Sequence, residues 1–240
     1  AAVTRRATHR STSAPASCLQ MTQDNGLAPP DMKRAIFDSR LAPYGMTGVN
    51  AGQVDKVHDK TLEAVHSQML VQVEGQTDIV TMGVPYLGPY NPNSILNPVL
   101  VVCLGLGYLF NLYKNKPVVR EGGVVIMSHP CRYEFHSIHH PSYIDFFDEV
   151  LADTLDSHEI EKKYETRFAE DPWYRQMYQQ SHAYHGVHPF YAWYWAAHAL
   201  AYLGDVIVVG GERSTVHKLG FKAASTLEDA LEMAEQTVGR

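Results

Sequence analysis

Thirteen histidines and 14 tyrosines stand in the 240 residues of this chain, most of both after residue 100. Three sets of side chains have types and spacings that carry chemistry. The triplets His136/His139/His140 and His182/His185/His188 bring imidazoles together on one turn or loop, the donors that nickel, zinc or iron sites use. Neither is the HExxH pattern of zinc hydrolases, and histidines among Tyr, Phe and Pro also serve as packing and hydrogen-bonding groups. His129, His188, Lys114 and Lys116 form a second set, because burial and neighbours bring such groups towards neutrality. Two of them on opposite sides of a substrate carbon would exchange its proton; the alternative for the lysines is the solvated end of a short helix. Asn91, Asn93 and Asn97, in the run PYLGPYNPNSILNP, are the third set. They offer amides to a polar ligand or satisfy the backbone of a turn. There is no GxxxxGK[ST] loop, Gly105-Leu106-Gly107 lacks the third glycine of a dinucleotide loop, and no GxSxG elbow occurs.

These residues need elements to position them. The runs VLVVCL from Val99 and VVIMS from Val124 flank a segment of helix length, the pattern of a strand, a crossover helix and a parallel strand. Gly122-Gly123 is expected to end the helix and turn the chain. The run Val124 to Ser128 has no polar alternation, so it reads as a strand covered on both faces. It delivers the chain to His129, at the carboxyl edge where open parallel sheets bind ligands. Asp78 to Val84 and DVIVV, Asp205 to Val209, are two further strands. Helices are expected over Gln53 to Val73 with one buried stripe, Ser142 to Leu155, Glu159 to Glu170, from Pro172 towards His182, and Pro189 to Leu203. A last helix, capped by Ser225 or Thr226, should bury Leu227, Ala230, Leu231 and Ala234. Strands alternating with helices give an α/β fold: a mostly parallel sheet, helices on both faces, three layers.

Composition narrows the function. A net charge of −6 argues against a nucleic-acid binder, and 45% hydrophobic with 19% charged residues is ordinary for a globular protein. No apolar run approaches the roughly 18 residues of a membrane span. Three unevenly placed cysteines, Cys18, Cys103 and Cys131, argue against a disulfide framework and for a reducing, cytoplasmic compartment. Residues 1–30, rich in Arg, Ser, Thr and Ala, read as a disordered or extended tail, a bias that a transit peptide shares; 31–240 read as one domain.

Several segments resemble the carboxyl-terminal half of the nickel-dependent lactate racemase family: VNAGQVDKVHDKTLEAV, NSILNP, NLYKNKPVVREGGVVIMSHP and LGFKAASTLEDALEMA. The resemblance implies a half-protein that binds a nickel pincer nucleotide and a small hydroxy acid substrate at the carboxyl edges of its strands. It implies too that the nickel-binding and cofactor-attaching residues, and the histidine pair that works on the substrate carbon, belong to an amino-terminal half with no counterpart here. Tyr113 with Lys114 or Lys116 would contact substrate or cofactor, Tyr108 being the alternative tyrosine because the helix is shorter than the family pattern. Trp193, with Trp195 second, would be the aromatic of the late helix that lines the site.

The leading expectation is therefore part of a racemase or epimerase for small 2-hydroxy acids. The site set is His129, Lys116 and His188 for acid-base work, and Tyr113, Lys114, Tyr108, Asn93, Asn97 and Trp193 for binding. One competitor is a metal-dependent hydrolase ligated by His136, His139 and His140. The other is a non-catalytic module that buries the aromatic run Phe190 to Trp195 in a homodimer.

Overall fold

A computed structural model describes residues 29, 31, 32, 34, 35, 48–91, 95–111 and 116–239. Tyr113, Lys114, Asn93, Cys18 and nearly all of the amino-terminal tail lie outside the described residues. The chain forms two compact units, 1–69 and 70–240.

In the first unit, helix α1 spans Val54–Met69, within the expected range. None of its residues is buried, and Val54 and Met69 are 79% and 76% exposed. The expected buried stripe is therefore corrected: apolar periodicity fixes which side chains share a face, not what covers it.

The second unit is α/β. Its sheet, among the described residues, has four strands in the order β1-β2-β3-β4, all parallel. They are β1 Thr77–Gly83, β2 Val119–Ser128, β3 Asp205–Val209 and β4 Lys222–Ala224. The strand period of two divides the hydrophobic residues between two faces. Val125, Met127, Val206 and Val208 face the larger core, while Val124, Ile126 and Ile207 meet Ala230 and Ala234 on the other side.

Two expectations fail in the stretch after residue 97. Val99 to Leu104 is not a strand: it lies in helix α2, which runs as an α-helical Pro98–Val102, a π-helical Cys103–Tyr108 and a 3-10 turn Leu109–Asn111. An all-apolar run suits a helix buried all round as well as a buried strand, and here the local chemistry decides. Asn97 accepts a hydrogen bond from the Leu100 N–H at 3.0 Å and Pro98 takes the first helical position, a combination that starts helices. Nor do Gly122 and Gly123 close a helix. They lie inside β2, in the bulge between the pairs Thr77↔Val119 and Ile79↔Val124. Gly122 has φ +70°, and a Cβ on Gly123 would press on the Asp78 carbonyl at 2.7 Å.

The remaining helices follow in order. The π-interrupted α3 (141–153) and α4 (157–170) precede α5, Pro172–Gln180, and α6, His188–Tyr202. Asp171 caps α5 by accepting from the Trp173 and Tyr174 N–H groups. After β3 come α7, Arg213–Lys218, and α8, Leu227–Val238, the latter opened by a Thr226/Asp229 capping box. Ala230 and Ala234 are buried as expected, but Leu227 and Leu231 are exposed, a correction: small residues let α8 lie close on the sheet while the leucines flank the seam. Among the described residues no helix is long and apolar enough to cross a membrane.

Candidate functional site

The carboxyl ends of β1, β2 and β3 share one rim because the strands run parallel. Helices α2 and α6 pack beside this sheet, and glycine permits the close approach. A Cβ on Gly105 would strike the Met127 side chain, and one on Gly107 would strike the Trp195 indole, 3.1 Å from Cγ. The Gly105-Leu106-Gly107 sequence is thus a packing device between helix, sheet and helix.

On α6 the helical period separates two faces. Phe190, Trp193 and Ala196 are buried in the core, where Trp193 donates its Nε1–H to the Leu155 carbonyl at 3.1 Å. His188, Tyr191 and Trp195 face outwards and, with the buried Ala192 and with Tyr90, Cys103 and Tyr108, line a half-open cavity of about 140 Å³. Tyr108 stacks on Trp195 with ring centres 5.4 Å apart and planes 22° from parallel. Of the two late-helix tryptophans it is therefore Trp195, not Trp193, that meets the cavity. The aromatic run is split in the same way: Phe190 and Trp193 are core, and Tyr191 and Trp195 are each 54% exposed.

No Asp, Glu, Lys or Arg lines the cavity. The Tyr90 and Tyr108 hydroxyls lie 2.8 Å apart, and this hydrogen bond, with burial, pushes the Tyr108 phenol up to about 12. Burial pushes the Cys103 thiol up to about 11. Burial, and then the neighbouring His185, bring His188 down to about 4. The His188 Nδ1 lies 2.6 Å from the hydroxyl of Tyr143, a fully buried residue whose phenol burial holds far above its usual range. The His188 ring also stacks on Tyr184 at 4.5 Å and meets Tyr90 edge-on at 5.3 Å. What remains for a guest is a set of aromatic faces and neutral hydrogen-bonding groups.

His129 occupies the predicted position at the end of β2. Its ring is buried, its Nδ1 accepts the Cys131 N–H at 2.9 Å, and burial lowers it to about 4. The remaining nitrogen, Nε2, is sealed without a partner among the described residues, and His129 is not part of the cavity lining. Cys131, at φ +40°, closes this turn. Lys116 is exposed and precedes β2, whereas His129 follows it, so roughly 30 Å of strand separates them. Of the four candidates, Lys116 and His129 therefore cannot flank one carbon together. Asn97 is the helix cap described above, and Asn91 donates to the Ile95 carbonyl, so both serve local backbone.

The histidine triplets are occupied elsewhere. His136 and His139 stack at 4.0 Å, with the His136 Nδ1 accepting the His139 N–H at 3.2 Å. His140 is buried, bonds the Tyr90 carbonyl through Nε2 at 2.7 Å and stacks on Tyr184. His185 accepts the Val187 N–H at 3.3 Å. Among the described residues no group of three or more His, Cys, Asp or Glu is placed to hold a metal ion. The described residues thus offer no ligand set for the nickel of the nucleotide that the resemblance implies. The cavity between α2 and α6, about 140 Å³, is also well below the roughly 300–1,000 Å³ that cofactor-sized ligands fill, whereas the open groove at the rim lined by Pro130, Arg132, Glu134, Gly211 and Glu212, about 610 Å³, is within it.

Comparison with known proteins gives a distant structural likeness. No family model matches the chain, and no curated protein sequence matches it. Among solved structures it is similar to the lactate racemase apoprotein from Thermoanaerobacterium thermosaccharolyticum, at 18% identity and a TM-score of 0.44. The match covers 79% of this chain and 37% of that one, so the chain spans little more than a third of that protein's length. A likeness at this level assigns no role to any residue.

Proposed function

We propose that the chain is the substrate-holding half of a racemase or epimerase for small 2-hydroxy acids, and that the cavity between α2 and α6 receives the substrate. The observation that carries this reading is the stack of Tyr108 on Trp195. The sequence resemblance calls for a tyrosine before the Gly-Gly turn and an aromatic on the late helix, and Tyr108 and Trp195, from helices far apart in sequence, supply such a pair in one cavity with His188. Size supports the reading as well. An apolar cavity of about 150 Å³ takes benzene, and a three-carbon hydroxy acid has as many heavy atoms. With no cation in the lining, the substrate carboxylate turns to the open mouth, because a charge buried without a partner is costly. The nickel cofactor, on this reading, is held by another segment or subunit.

The test is interconversion of D- and L-lactate by the product of the whole gene that encodes this chain, together with its nickel content. Racemisation that is lost in Trp195→Ala is expected. Absence of both nickel and racemisation, with a panel of 2-hydroxy acids, would overturn the reading.

A further inference from the structure

We propose that His188 serves the cavity as a neutral hydrogen-bond donor, presenting Nε2–H to an acceptor oxygen of the guest, and that Tyr143 is the positioning residue that fixes this tautomer. The inference deepens the function proposed above and depends on it only for the identity of the guest.

The tautomer follows from what Tyr143 can reach. Its ring is fully buried, and among the described residues the His188 Nδ1 is the group in hydrogen-bonding distance of its hydroxyl, at 2.6 Å. Were Nδ1 to carry the proton and donate to the phenol oxygen, the phenol O–H would be left buried with no acceptor. The phenol therefore donates, Nδ1 accepts, and the proton of a neutral imidazole sits on Nε2. Among the described residues Nε2 has no hydrogen-bond partner and, unlike the sealed Nε2 of His129, is not closed off from the cavity that the His188 ring lines.

The surroundings keep the ring neutral. His188 takes the first position of the 15-residue helix α6, where the positive end of the helix dipole disfavours a second positive charge. The groups around it are Tyr90, Tyr143, Tyr184, His140 and His185, none of them a carboxylate that would support an imidazolium.

With Nε2 protonated and the Nδ1 lone pair taken by the Tyr143 hydroxyl, the ring turns no lone pair to the cavity that could abstract a proton from carbon. It donates instead, and a donor aimed at a carbonyl oxygen polarises it, a known use of neutral histidine at a helix start. The guest is thus a small molecule with a carbonyl or hydroxyl oxygen turned inwards, and the base for its carbon-bound proton comes from outside this cavity. This replaces the acid-base role expected for His188 from sequence.

Imidazole ¹⁵N spectra of the labelled full chain at neutral pH test the tautomer directly. The expected result is His188 with Nε2 protonated and Nδ1 bare, and Nδ1 protonation appearing in Tyr143→Phe. A protonated Nδ1, or an imidazolium, in the unmodified chain overturns the proposal whether or not the variant folds. Sodium pyruvate is the probe for the donor. Its addition should shift the His188 Nε2–H resonance, and Tyr143→Phe should weaken it by up to about tenfold. Pyruvate that perturbs Trp195 without moving Nε2–H overturns the donor role. No response from either residue to pyruvate or to L-lactate, with the tautomer as expected, supports the tautomer and overturns both the donor role and the hydroxy-acid guest of the proposed function.

Discussion

Gly107 and Trp195 are in contact across the α2–α6 seam, and the contact exists because residue 107 has no side chain. The indole lies over the glycine and under Tyr108, so one position sets both the helix spacing and the wall of the cavity.

Gly107→Ala should therefore displace Trp195 rather than strain the backbone, whose φ at this position is ordinary. The expected cost is about 1–3 kcal/mol, as for overpacking elsewhere. Urea unfolding measures it, and a shifted tryptophan emission maximum locates it. Unchanged emission and stability would mean that the helices are not in contact here.

The two late-helix tryptophans should separate stability from binding. Trp193→Ala removes a fully buried ring and its hydrogen bond to Leu155, at a cost of about 3–5 kcal/mol. Trp195→Ala, at a half-exposed position, should cost about 1 kcal/mol or less while abolishing occupancy of the cavity. Thermal melts of both variants, with a lactate titration of the second, distinguish them.

Much of this was legible before any coordinates. The runs Val124 to Ser128 and Asp205 to Val209 read as strands because each is a short run rich in β-branched residues that directly follows a glycine. Val99 to Val102 has the same composition and folds oppositely; the deciding signal was Asn97-Pro98, a cap followed by a helix-starting proline, outweighed by the apolar run. Strand β4, Lys-Ala-Ala, carries no strand signal at all and forms because β3 offers an unpaired edge. The site was half legible. Tyr108, Trp195 and His188 stood among the candidates, but which α6 face meets the core depends on packing that a helical wheel does not encode. Tyr143 went unmarked because a single buried tyrosine has no pattern.

The buried imidazoles predict an acid-sensitive fold. Burial first of all lowers His129 and His188 to about 4 and His140 to about 3, while the unfolded chain titrates near 6.5. Between these limits the unfolded state binds more protons, so stability rises with pH there. It should be complete above about pH 6.5 and fall as pH drops towards 4 and then 3, by several kcal/mol in all. The paired carboxylates act at lower pH: the Tyr133 N–H lowers Glu212, and the Tyr164 hydroxyl and Lys163 lower Asp153. Urea midpoints at about pH 7 and pH 5 check this. Equal midpoints would mean that the rings are not held neutral.

Lys116 offers a negative control. It is exposed and lies at the amino end of β2, away from the rim. Lys116→Ala should leave stability within about 0.5 kcal/mol and ligand affinity unchanged. A loss of binding in this variant would restore the lysine to the site.

On the proposed function, a small hydroxy acid occupies the space between Tyr108, Trp195 and His188. Amide and side-chain chemical shifts recorded while L-lactate is added test it most directly. Saturable shifts are expected at Tyr90, Tyr108, His188 and Trp195, and they should disappear in Trp195→Ala. Shifts confined to the groove at Gly83, Ser128 and Val209, or no saturable shifts at all, would contradict it.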